Sequence, residues 1–198
     1  MRAALVLLGA ALLAGCGAQE VLIPKSGEPP GTVDFSGYWE LRTDANAERR
    51  RLNEAIRRTD GIDGGAILQP ADVRRDGFLL ERRDHGGLVH VFLEHGRRLK
   101  ITQTDSAIFI SFDRAVVEEF RFGENREVSV GPVVADRVSG WEGDTYVVET
   151  LDENGMKLTE RFELADGGET LRRTITLRSR SDDSVTIVQK FDRVDSSS

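Results

Sequence analysis

The sequence predicts a mainly antiparallel, all-β chain, a meander closed into a barrel with one short helix after the first strand. Three observations predict it. From residue 88 onward, short runs with period-two alternation follow one another at near-regular spacing, most of them separated by Gly, Asn or Asp turn signals. One stretch, 44–60, carries a helical stripe instead. And a chain of 198 residues with a single cysteine is long enough for one real core but has no internal disulfide, so burial and the sheet ladder must hold the fold.

At the amino terminus, Met1-Arg2 supplies one positive charge, and residues 3–13 contain only Ala, Leu, Val and Gly. That run of about 11 residues falls short of the ~20 that span a bilayer and reads as the core of an export signal. Leu13-Ala14-Gly15-Cys16 follows. Small residues before a cut let the backbone enter a peptidase cleft, and the thiol can accept a diacylglyceryl group. All four positions resemble the lipobox of bacterial lipoproteins. The resemblance implies cleavage after Gly15, lipid on Cys16 and a place in the bacterial envelope. Gly17, standing where Asp would argue for the inner membrane, favours the periplasmic face of the outer membrane. One acyl chain holds a protein only marginally, and two or more hold it stably.

The expected organisation is a signal peptide over 1–15, a lipidated and flexible tether over 16–33, a barrel domain over 34–194 and a frayed tail over 195–198. Pro24, Pro29 and Pro30 give the tether its irregular character; as a coil it spans roughly 20–25 Å on average. Cleavage removes Arg2 and takes the net charge from -7 to -8. A mildly acidic chain argues against a nucleic-acid partner, whose phosphates need clustered Lys and Arg.

The helix is capped by Asp44 or Asn46, and its stripe is Leu52, Ala55, Ile56 and Thr59. Asp60-Gly61 ends it. Arg49, Arg50, Arg51, Arg57 and Arg58 form its outer side, open to two readings: a solvated face, or a basic face over anionic lipid or ligand. The expected strands are 88–94, 98–104, 107–112, 116–122, 127–130, 134–141, 145–151, 156–164, 169–178 and 184–194. Turn signals such as Asn154-Gly155 and Asp166-Gly167-Gly168 separate many of them. Between helix and strands, Ile67-Leu68 is the one candidate strand.

The last three strands can be registered. With 165–168 as a loop, Phe162 stands opposite Leu171 and Glu160 opposite Arg173. With 179–183 as the next, Ile175 stands opposite Ile187 and Arg173 opposite Gln189. Residues two apart share a face, so Leu158, Phe162, Leu164, Leu171, Ile175, Leu177, Val185, Ile187 and Phe191 form the core face. Glu160, Arg173 and Gln189 cross that same face as a polar row, with Glu149 a further carboxylate candidate. Buried charges are costly unless paired. The row is an interior anchor for a polar ligand head, such as a carboxylate, or a self-satisfied structural ion pair, or a row near an open barrel rim where water solvates it.

Phe35-Ser36-Gly37-Tyr38-Trp39-Glu40-Leu41 contains a Gly-x-Trp on the first strand. This resembles the calycins, the lipocalin and fatty-acid-binding-protein barrels. The resemblance implies that Trp39 plugs one barrel end and that Arg193, on the closing strand, packs over it as a cation–π pair. The helix after the first strand and the terminal hairpins, including Trp141-Glu142-Gly143-Asp144, fit the same pattern. Three departures matter. Where the fatty-acid-binding proteins carry Arg-x-Tyr on the last strand, Gln189 and Phe191 stand here. The lipocalin Thr-Asp-Tyr signature is absent, and one helix replaces two. Fatty-acid binding is therefore not implied.

His85, His90 and His95 are spaced by five, which puts neighbours on opposite strand faces and arranges no metal site; they read as surface or strand histidines. No nucleophile elbow or phosphate loop occurs, so neither an enzyme nor a cofactor is expected. The leading expectation is a tethered barrel binding a small, partly apolar molecule in its interior. Its rival is a non-catalytic accessory protein of the envelope whose core is filled by side chains. An interior cavity above about 300 Å³ separates the two.

Overall fold

The computed structural model describes residues 20–60 and 89–195. Leu13, Ala14, Gly15, Cys16, His85 and the Ile67-Leu68 candidate lie outside the described residues, as do the export signal and residues 196–198.

Ten strands form one sheet. β1 (Gly37–Leu41) leads into helix α1 (Ala45–Asp60). Then come β2 (Arg98–Gln103), β3 (Ala107–Phe112), β4 (Val116–Arg121), β5 (Glu124–Val130) and β6 (Val133–Glu142), followed by β7 (Thr145–Asp152), β8 (Lys157–Ala165), β9 (Thr170–Arg178) and β10 (Ser184–Val194). Every pairing is antiparallel, in the order β4-β3-β2-β1-β10-β9-β8-β7-β6-β5. The first strand pairs with the last, Trp39 opposite Arg193, which curls the meander into a nearly closed barrel. The sheet's two edges are β4 and β5, although only Phe122-Gly123 separates them in sequence. The fold class is the one the alternation predicts.

Local chemistry explains the helix. Asp44 is its cap: the Ala47 amide donates to Asp44 Oδ1 at 2.9 Å, satisfying one of the orphan N–H groups of the first turn. Leu52, Ala55, Ile56 and Thr59 are all buried, and the Thr59 hydroxyl donates back to Ala55 O at 3.1 Å.

Inward-facing side chains form two apolar layers. One holds Phe35, Trp39, Ile110, Phe120, Trp141, Tyr146, Phe162 and Phe191. The other joins Leu52, Ala55 and Ile56 of α1 to Val130, Val133, Met156, Leu158, Leu177 and Ile187. The second layer lies at the end of the barrel where the β5–β6, β7–β8 and β9–β10 turns meet α1. The buried polar residues Arg137, Thr150, Glu160, Arg173 and Gln189 come from inward positions on strands that also feed the two layers, and buried Glu94 comes from the segment that precedes β2.

Three expectations are corrected. The described part of the expected strand 88–94, residues 89–94, is not a strand. Val89–Phe92 is a short 3-10 helix, and every residue from Val89 to Glu94 is buried. Alternation is a signal of one wet face, and a segment covered all round has none; it packs on α1 and the inner barrel wall rather than pairing. The β8–β9 register is shifted by two: Leu164 pairs with Leu171, Phe162 with Arg173 and Glu160 with Ile175. The turn is Asp166–Glu169 rather than 165–168, because Asp166, Gly167 and Gly168 take φ values of 53°, 70° and 97°, and Ala165 and Thr170 still pair. A shift of two preserves the faces, and the β9–β10 register is as expected, Arg173 opposite Gln189. Third, the described part of the expected flexible tether, residues 20–33, lies against the barrel wall. Leu22 is buried with Val138 and Leu151, Ser26 bridges Trp141, and Lys25 pairs with Glu142 at 2.6 Å and Glu149 at 3.1 Å. Glu149 therefore faces outward, not onto the polar row.

Candidate functional site: buried arginines and an open seam

The Gly-x-Trp motif has a steric explanation. Gly37 sits at φ 146°, and a Cβ there would lie 2.6 Å from Arg193 Nη1. The missing side chain makes room for the Arg193 guanidinium, whose Cζ lies 4.2 Å from the Trp39 ring centroid. Arg193 is held there by the carbonyls of Ser36, 2.9 Å from Nη1, and Gly168, 3.0 Å from Nε. Trp39 is fully buried and donates from Nε1 to Phe35 O at 3.0 Å. The two residues meet at the barrel end that carries the β8–β9 turn.

The structure brings Glu160, Arg173 and Gln189 together despite the altered register, because long side chains reach diagonal neighbours. Arg173 Nε donates to Glu160 Oε1 at 2.9 Å, and Nη2 donates to the same oxygen. Nη1 reaches Gln189 Oε1 at 3.3 Å, and Nη2 also reaches the main-chain carbonyl of Glu94 at 2.8 Å. Phe112 and Phe162 flank the guanidinium, their centroids 5.2 and 5.6 Å from Cζ. With side chains 1% and 4% exposed, Arg173 and Glu160 are a dry pair. Every nitrogen of Arg173 is bonded within the protein. The segment after the 3-10 helix supplies the carbonyl, so that segment fills the interior at this level.

Arg137 on β6 is different, and alternation did not single it out. Its inward phase (Val133, Ala135, Arg137, Ser139, Trp141) is buried, but the outward Val138 is buried too, under Leu22. Apolar residues on both faces erase the signal. Arg137 is 5% exposed, and its Nη1 lies 3.6 Å from Glu118 Oε2 on β4, longer than a hydrogen bond. Nε donates to Thr150 Oγ1 at 3.1 Å; among the described residues this is its hydrogen bond. The rings of Phe92 and Phe120 each lie 5.5 Å from its Cζ. Burial pushes its pKa down, opposed by the charges of Glu118 and Glu160. A buried cation so loosely paired favours an added acceptor nearby.

The space beside it is the seam between β4 and β5. Near Arg121 the seam is closed by side chains of β6 and β7: Ser139 Oγ donates to Arg121 O at 2.8 Å and Tyr146 OH to the same carbonyl at 3.4 Å. Burial drives the Tyr146 pKa upward and keeps the phenol protonated as that donor. Further along, the strands leave a cleft of 310 Å³ whose lining includes Val91, Phe92, Glu94, Glu118, Val128 and Arg137. Its lining is mainly polar and charged, with Arg126, Glu127 and Ser129 beside Glu94, Glu118 and Arg137, and Val91, Phe92, Val128 and Val130 are its apolar part.

The histidines correct another expectation. His90 is buried in the 3-10 helix. His95 is half-buried, and its pKa is lowered by burial, then by the nearby charges of Arg49 and Arg173. Among the described residues no three His, Cys, Asp or Glu converge to hold a metal ion.

Fold and site together define the class: an antiparallel meander barrel joined through its first and last strands, with a buried polar level and, among the described residues, one open seam. No family model matches the chain, and no curated protein does. Among solved structures, secretory abundant heat soluble protein 4 of Ramazzottius varieornatus is 16% identical with a TM-score of 0.47, covering 85% of this chain and 97% of that one. The REP1-NXSQ fatty acid transporter is 13% identical with a TM-score of 0.44, covering 82% and 97%. Zebrafish ileal bile acid-binding protein, complexed with cholic acid, is 16% identical with a TM-score of 0.43, covering 81% and 98%. Likeness at this level carries no argument about what this chain binds.

Proposed function

We propose that this protein is a lipid-anchored barrel of the bacterial cell envelope, tethered through Cys16, that binds a small, partly apolar molecule at its open seam. The periplasmic face of the outer membrane is its proposed location, and its role is binding rather than catalysis. The observation that supports the binding reading is Arg137: a buried guanidinium with donors to spare, lining a largely polar cleft that also holds Val91, Phe92 and Val128. The ligand's polar group accepts from Arg137, and its apolar part lies on Phe92, Val91 and Val128.

An anilinonaphthalene sulfonate dye, apolar with one anionic group, serves as the probe. Arg137→Met keeps the stem and removes the charged donors, so the dye should bind roughly ten- to a hundredfold more weakly in a fluorescence titration. Unchanged affinity in a folded variant would remove the seam as the site. For the anchor, mass spectrometry of the purified chain's first peptide should show diacylglyceryl on Cys16; an unmodified or absent Cys16 would count against it.

A second reading has its own observation. Arg173 is saturated by Glu160, Gln189 and Glu94, as in a barrel whose core is filled by its own side chains. A dye that fails to bind the parent chain would favour that accessory role.

A further inference from the structure

The described chain begins at Glu20, and Glu20 is fixed in place. Its carboxylate pairs with Arg178 at the end of β9 and lies 3.3 Å from Lys157 at the start of β8. Both residues border the β7–β8 and β9–β10 turns, at the barrel end that α1 covers. Four residue steps separate Glu20 from Cys16, at most about 14 Å of extended chain. Resting on the reading that Cys16 carries lipid, this places the α1 end of the barrel next to the bilayer.

That end is built for such a surface. α1 carries five arginines against Glu48, Glu54 and Asp60, an excess of two positive charges in a chain of net charge -7. Arg57 and Arg58 share the single carboxylate of Glu54, and among the described residues Arg49 and Arg50 have no ion pair. A shallow groove of 710 Å³ between α1 and β10 is bordered by Arg50, Arg51, Arg57 and Arg58, with Glu54 among them. Directly after Glu20, Val21 is 81% exposed and Ile23 73% exposed, while Leu22 between them is buried. Two bare apolar side chains a few residues from an acyl anchor, following a residue fixed at the barrel end that α1 covers, match the chemistry of a headgroup region. Besides Glu20 and the acids of α1, Glu153, Asp182 and Asp183 lie on the two turns, and Asp182 is paired with Arg178.

We propose that the exposed arginines of α1 dock this barrel end onto anionic phospholipid headgroups, so that the tethered barrel rests on the membrane in a fixed orientation. Val21 and Ile23 enter the interface beside the acyl chains. Because α1 carries a net positive charge and the turns carry acids, the barrel leans onto α1. The seam cleft is built by β4, β5 and β6 with the 3-10 helix, and it does not use α1, so docking leaves the binding site of the previous reading intact.

The test uses the mature chain purified from membranes and added to vesicles of phosphatidylcholine alone or with phosphatidylglycerol. Arginine modification by a dicarbonyl reagent is read residue by residue. On the phosphatidylglycerol vesicles Arg49 and Arg50 should react at least about fivefold more slowly than on phosphatidylcholine, the scale of one basic contact with an anionic surface. Arg172, exposed near the β8–β9 turn at the other end, should react equally on both. Equal reactivity of Arg49 and Arg50 on the two vesicles, with the chain floating on both, would overturn the docking face and leave the anchor standing. Flotation only with phosphatidylglycerol would keep the face and overturn the anchor. Flotation with neither would overturn both. Arg49→Gln with Arg50→Gln, Arg57→Gln and Arg58→Gln, all exposed, should still float on phosphatidylcholine and should lose added retention on phosphatidylglycerol; retained preference would also overturn the face.

Discussion

Arg173 shows how one residue can hold an interior together without being available to anything else. Four hydrogen bonds and two aromatic faces surround it, so removing it strands the Glu160 charge in a dry site. Arg173→Ala should cost on the order of 3–5 kcal/mol in a urea melt, and Arg173→Met with Glu160→Leu should recover most of that loss, since replacing both members of a buried pair with apolar groups is often neutral. Gly37→Ala puts a Cβ where the Arg193 guanidinium sits and should cost about 1–3 kcal/mol, with Trp39 fluorescence shifted as its cation partner is displaced. His95 gives the residue scale a pH signature. Its folded pKa is lowered by burial, so the unfolded chain binds the proton first. The contribution is complete above the ordinary value of 6.5 and is lost as pH falls through the depressed one. The urea midpoint should fall between pH 7 and pH 5, and His95→Gln should flatten that fall. Arg173 was legible in the sequence because it is a lone charge in an apolar phase. Arg137 was not, because its strand is covered on both faces.

At the scale of elements, the strands written most plainly in the sequence were those with one wet face. β3 and β10 run as the alternation predicts. The 3-10 helix Val89–Phe92 was misread for the opposite reason, since it has no wet face to alternate with. The segment over residues 20–33 was misread because its prolines forbid regular structure but not contact. Gly140 makes that contact close: a Cβ there would meet Ser26 O at 2.4 Å and Lys25 Cβ at 2.8 Å. Gly140→Ala should release the segment and expose the peptide bonds around Lys25 to trypsin while the barrel stays resistant. Acid should do the same. The Lys25 hydrogen bond, with help from Arg161, outweighs partial burial and holds the Glu142 carboxyl below its ordinary 4.5. The attachment is therefore complete above that value and is lost as pH falls through the depressed one. Trypsin-accessible sites in this segment, measured after brief acid exposure, should appear before the barrel unfolds.

At the scale of the whole molecule, the meander closes through β1 and β10 and leaves its one unzipped line between β4 and β5. Closing a sheet removes its edges; here β4 and β5 remain as edges, and a cleft with Arg137 along it lies between them. The sequence's alternation and turns were enough for the first strand, for nine of the ten runs expected after it and for antiparallel order, the exception being the segment that forms the 3-10 helix. They could not place the seam, because whether two neighbouring strands pair depends on what lies between them, and Phe92, Glu118 and Arg137 meet there from three separate elements. The measurement that bears most directly on a binding barrel is native mass spectrometry of the protein released gently from its own membrane. The expected spectrum carries a small molecule of discrete mass on the parent chain, diminished in Arg137→Met. A parent chain whose mass is only that of the polypeptide and its acyl groups would contradict the binding role and leave a barrel filled by its own side chains.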